Sequence, residues 1–150
     1  MGLIRLDKIG ANNHVYNIKL GVDAKNGNVV GLGSYAEFDV YNGTTIGALT
    51  ELPIFLAEEF LNYTGYEAEE DFALKTGKVV RGYQLERGDI VTVTDDLITG
   101  SGIAVGNLIE ATTALKIAKV ATPTTGARLS FRVLEKDFLN GLTASVLEVL

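Results

Sequence analysis

Apolar and polar residues alternate along this chain in short runs, and glycine, asparagine and aspartate interrupt them every 8–12 residues or so. A period of two is that of a strand whose two faces meet different surroundings. Val15-Tyr16-Asn17-Ile18-Lys19-Leu20 alternates loosely, and Asn26-Gly27 follows it as a hairpin signal, since both residues tolerate positive φ. Residues 28–35 then read as the returning strand. Residues 37–41 and 54–58 read as a second strand pair, with a turn at Asn42-Gly43 and Pro53 favouring a sheet edge.

The second half is more regular. Residues 79–85 and 89–94 read as strands around the turn Glu86-Arg87-Gly88-Asp89. In Ile90-Val91-Thr92-Val93-Thr94 the two valines share one face and Ile90 shares the other with two threonines, so cover on both faces is expected. Asp95-Asp96 opens a turn, Gly100-Ser101-Gly102 reads as loop, and residues 114–121 set Leu115 and Ile117 against Lys116 and Lys119. After the turn Pro123-Thr124-Thr125-Gly126, Leu129, Phe131 and Val133 alternate with Ser130, Arg132 and Leu134, a half-buried strand. Residues 143–150 close the chain as a last strand. The best helix is short, residues 66–72, delimited by Gly65 and Gly77.

The pattern predicts a mainly β fold, a small β-barrel or β-sandwich with one short helix and an extended N-terminal arm. Residues 1–14 form the arm, because they stand outside the strand pattern and end in the hinge-like Gly10-Ala11-Asn12-Asn13. Residues 15–150 form the β-rich domain, and a break near 74–78 would divide it into two subdomains. Such an arm is expected to be ordered by a partner, so removal of residues 1–13 should leave a folded domain that binds less well.

Composition narrows the chemistry. The 150 residues are 47% hydrophobic, enough for a core without staples, and contain no cysteine for disulfides or thiolate sites. A net charge of −6 with scattered lysines and arginines argues against a nucleic-acid partner; Lys116, Lys119, Arg128, Arg132 and Lys136 are the nearest to a cluster. No apolar run approaches the roughly 20 residues that span a bilayer. The first residues lack the apolar stretch of a signal peptide, so use without export, and no membrane partner, are expected.

No motif reaches a catalytic constellation, and no catalytic, metal-binding or cofactor-binding residue is assigned. His14, the single histidine, has no acidic or nucleophilic sequence neighbour. Gly31-Leu32-Gly33 and Gly100-Ser101-Gly102 lack the spacing and following helix of a dinucleotide loop. Arg87-Gly88-Asp89 spells an adhesion tripeptide but is equally good turn chemistry. Asn42-Gly43-Thr44 and Asn62-Tyr63-Thr64 match glycosylation triplets, which mean nothing without secretion. Glu51, Glu58, Glu59, Glu67, Glu69, Glu70 and Asp71 make an acidic segment without Lys or Arg; its spacing fits no calcium loop, and a solvated face explains it. Its aromatics, Phe55, Phe60, Tyr63, Tyr66 and Phe72, are expected mainly in packing, with one or two at an interface.

Three stretches carry a resemblance: Ile4-Arg5-Leu6-Asp7-Lys8-Ile9; Arg81 through Thr94, an aromatic-containing strand, a Gly-Asp turn and a Thr/Val-rich strand; and Ala104-Val105-Gly106-Asn107-Leu108-Ile109-Glu110. Covering about half the chain, they resemble the decoration (cement) and minor head structural proteins of tailed bacteriophages. Residues 131–150 fit that pattern less well. The resemblance implies a non-enzymatic virion protein, made in the bacterial cytoplasm, that binds the capsid exterior and bridges major capsid subunits. It also implies self-association, a trimer being one form. Ile4, Arg5, Leu6, Lys8 and Ile9 are then the capsid contacts, by addition of a strand to a neighbour's sheet edge. The alternatives are a tail or head–tail joining protein, a hydrolase built on the acidic segment, and a β-barrel carrier of small apolar ligands.

Overall fold

The computed structural model describes residues 3–9, 14–47, 51–58 and 73–150, and the chain is mainly β. In chain order the strands are β1 (Ile4–Lys8), β2 (His14–Leu20), β3 (Ala24–Lys25), β4 (Val29–Glu37), β5 (Val40–Thr44), β6 (Pro53–Leu56), β7 (Ala73–Leu74), β8 (Val79–Gln84), β9 (Ile90–Thr94), β10 (Ile98–Thr99), β11 (Leu108–Glu110), β12 (Ile117–Val120), β13 (Ser130–Leu139) and β14 (Leu142–Val149). A 3-10 turn, Asp95–Leu97, joins β9 to β10.

Strands β2, β5, β4, β6 and β8 pair in a closed ring. A seven-stranded sheet in the order β1-β9-β14-β13-β11-β12-β10 forms the second layer, and β3 pairs with β7. Alternation along the ring strands connects the layers. Ile18, Leu20, Val30, Ile54, Leu56 and Val80 form one apolar cluster. Val29 and Phe55, next in sequence to Val30 and Ile54, join the other cluster with Val91, Val93, Phe131, Val133 and Leu147 of the large sheet. The ring therefore buries residues from both faces of its strands, and these join the two layers.

The interior of so small a ring leaves little room. At Gly82 an added Cβ would lie 2.3 Å from Ile54 Cγ2, and at Gly43 one would lie 2.4 Å from Ile18 Cγ2. Gly43 thus sits in a strand, and Asn42-Gly43 is not the turn its residue types suggest. The turn is Phe38-Asp39, both at positive φ (45° and 63°), the conformation of a two-residue type I′ hairpin.

Other pairings also depart from the sequence expectation. The turn at Asn26-Gly27 forms, with Gly27 at φ 88°, but it joins β3 to β4, whose partners lie elsewhere. The runs at 37–41 and 54–58 do not pair with each other; β5 and β6 both flank β4. The chain passes between the layers twice, from β1 in the large sheet to β2 in the ring and from β8 in the ring to β9 in the large sheet at the 85–89 turn. The helix expected at 66–72 lies outside the described residues. Thr92, Thr94 and both valines of β9 are buried, as cover on both faces requires.

Candidate interaction surface

The proposed capsid contacts occupy a different setting from a free arm. β1 runs antiparallel to β9, with Ile4 opposite Val93, Arg5 opposite Thr92 and Leu6 opposite Val91. The pleat turns Ile4 and Leu6 inward, and Ile9 packs with them against the large-sheet core. Leu3 is buried, its N–H donating to Thr94 Oγ1 at 2.9 Å. Of the five residues, only Arg5 and Lys8 are exposed. The arm is an edge strand of its own sheet, and its outer edge has no strand partner among the described residues.

Arg5 connects this edge to the far hairpin. Its guanidinium is paired with Asp7, donates to Thr92 Oγ1 at 3.2 Å and reaches Asp137 Oδ2 at 3.2 Å. Hydrogen bonds to Asp7 and then Asp137 hold the guanidinium pKa above its ordinary value. The Phe138 N–H, followed by Arg5, holds the Asp137 carboxyl below the usual carboxylate range. Phe138 itself is 67% exposed near the tip of β13–β14, whose turn is Asn140-Gly141. That Asn-Gly pair is a strong hairpin signal, legible but unused in the sequence reading.

The second projecting hairpin is β4–β5. From Gly33 to Asp39 every residue is exposed, and Phe38 at the tip is 88% exposed. Tyr35 packs edge-to-face on Tyr41, and Tyr41 on Tyr16, with centroids 5.3 Å apart in each pair. Near the base of the same hairpin lies a recess of about 430 Å³, lined by Lys19, Leu20, Gly21, Gly33, Asn42, Gly43, Thr44, Thr76 and Gly77.

Polar groups that resemble catalytic sets are engaged in structure. Lys136 Nζ lies 2.6 Å from Asp95 Oδ2 and donates to Ser145 Oγ at 2.7 Å, and Ser145 donates to Asp95 Oδ1 at 2.7 Å. A serine nucleophile must reach substrate, whereas Ser145 is fully buried and the lysine ammonium is held by the aspartate. Asp89 of the adhesion-like tripeptide is buried and accepts from the Glu86 N–H at 2.8 Å, closing the turn. In the acidic segment, Glu51 accepts from the Gly47 N–H at 3.1 Å and Glu58 from the Arg81 N–H at 3.0 Å. Glu59, Glu67, Glu69, Glu70 and Asp71 lie outside the described residues, as do Phe60, Tyr63, Tyr66, Phe72 and the side chain of His14. Phe55 is a core residue.

The sequence matches no protein-family model and no curated protein. Among the described residues no helix is long and apolar enough to cross a membrane.

Proposed function

We propose that this chain is a structural virion protein that binds the outer surface of a tailed-phage capsid and stabilises it by bridging major capsid subunits. The single observation that supports the reading is the outer edge of β1, which has no strand partner among the described residues and belongs to the same sheet as the exposed Phe138. An edge strand offers unpaired N–H and C=O groups to an extended segment of a partner, and the exposed Phe138, three strands away on β13, supplies a separate apolar anchor. The mode differs from the expected one. The arm is already seated in its own sheet, so the partner adds a strand to β1. In such a role many copies, each binding modestly, together resist outward pressure on the shell.

The test is quantitative mass spectrometry of gradient-purified particles, counting this chain against the major capsid protein. A simple ratio such as one-to-one or one-to-three supports decoration of the whole shell. A handful of copies supports a tail or head–tail joining role, and absence overturns the virion reading. With stripped shells, Phe138→Ser is expected to weaken rebinding at unchanged fold.

A further inference from the structure

We propose that the β4–β5 hairpin is a self-association device, in which Phe38 of each copy enters the glycine-lined recess at the base of the other copy's hairpin. Phe38 combines two unfavourable features. It exposes a large apolar ring to water, and it occupies a left-handed backbone conformation that suits asparagine or glycine. The Asn140-Gly141 turn of the same chain meets the same demand with the residues that satisfy it at least cost. A phenylalanine held in that position has a use outside its own fold.

The recess fits the ring in size and in charge. Cavities on the order of 150 Å³ hold benzene, and this one is about 430 Å³ with a floor of glycine backbone and Leu20. Phe38 is flanked by Glu37 and Asp39, whereas Lys19 lines the recess; Lys75, beside its Thr76-Gly77 wall, lies 4.0 Å from Asp23. Asp23, the acid beside that wall, is engaged by the Thr76 N–H and hydroxyl at 2.8 Å each. An acidic-flanked aromatic thus faces a pocket that carries Lys19 on its lining, and complementary charge of this kind selects and orients a partner.

Geometry closes the pair. Phe38 at the tip lies five positions after Gly33 in the recess, about 17 Å of strand at ~3.3 Å per residue. Two such hairpins laid antiparallel across a two-fold axis place each tip against the other's base. The contact is then isologous and ends at two copies. It is independent of the shell reading, since it needs no other protein.

The experiment is sedimentation velocity of the full chain over a concentration series, without shells. The expected result is a reversible dimer. Phe38→Ser should weaken it by at least thirtyfold or so, the loss of a central aromatic anchor. Thr44→Trp, which fills the recess and leaves Phe38 in place, should do the same while circular dichroism stays native. Lys19→Glu should weaken the dimer, and Asp39→Lys in the same chain should restore it. A wild-type chain that stays monomeric, a Phe38→Ser chain that dimerises as well as wild type, or growth into open filaments would each overturn the proposal.

Discussion

The Asp39 backbone N–H donates to the Tyr35 hydroxyl at 3.0 Å, tying the turn of the β4–β5 hairpin to the ring four residues before it. Tyr35 is in turn packed edge-to-face on Tyr41, and Tyr41 on Tyr16. An exposed hairpin would ordinarily fray at its end. Here a row of aromatic rings, worth about 0.5–1.5 kcal/mol per pair beyond burial, extends order from the ring of strands toward the tip. Phe38 is therefore presented on a stiffened support, which lowers the entropy lost when a partner receives it.

The same turn is a place where stability and binding oppose each other. Replacing Phe38→Asn and Asp39→Gly together should stabilise the isolated chain by about 1 kcal/mol, because the left-handed conformation costs a residue such as Phe38 about that much and aspartate, which tolerates it, less. For a chain of this length the melting temperature should rise by roughly 2–4 °C. The variant should self-associate less. Thermal melts at low protein concentration separate the two effects, and a lower melting temperature would refute the strain argument.

The interior of the ring of strands should be intolerant of a single methyl group. Gly82→Ala is expected to destabilise by roughly 1–3 kcal/mol, since its Cβ meets a methyl on the β-branch of fully buried Ile54. Gly21→Ala is the control. Its nearest neighbour would be Thr44 Cβ at 3.5 Å, ordinary contact, so a change within about 0.5 kcal/mol is expected. Chemical denaturation of the two variants side by side makes the comparison.

The N-terminal segment should behave as part of the fold. Leu3→Ala is expected to cost about 2–5 kcal/mol, as for other buried leucines. Deleting residues 1–9 should uncover Val91 and Val93 and give a chain that unfolds at lower denaturant or does not stay soluble. Because β1 covers one edge of β9, such a truncation should lose stability as well as any binding.

Acid should loosen two surface ties in a definable range. The Thr76 N–H, then the Thr76 hydroxyl and Lys75, hold the Asp23 carboxyl below its ordinary 3.8, and Asp137 is held below the same value by the Phe138 N–H and Arg5. With folded values depressed, their contribution is complete above the ordinary value and is lost as pH falls through the folded ones. Neither carboxylate should alter stability between about pH 5 and 8. Asp23→Asn and Asp137→Asn should each lower stability at neutral pH, and their difference from wild type should shrink in acid. A difference constant with pH would reject the assignment.

Residue order along the chain was enough to show that this is a mainly β protein and to place most of its later strands. Val79 to Gln84, Ile90 to Thr94 and the alternation of Leu129, Phe131 and Val133 follow from a two-residue period, a local property. Turn chemistry was equally local where nothing overrode it, as at Gly88 and Gly126, both at positive φ. What tertiary structure decided was pairing. β1 meets β9 across more than eighty residues, and β2 lies parallel to β5, relations to which no local preference points. It also decided the β4–β5 turn. Asn42-Gly43 has the better turn residues, but the Ile18 side chain leaves no room for a Cβ at position 43 inside the ring of strands. The turn therefore falls on Phe38-Asp39, where local preference is weak and packing within the ring outweighs it.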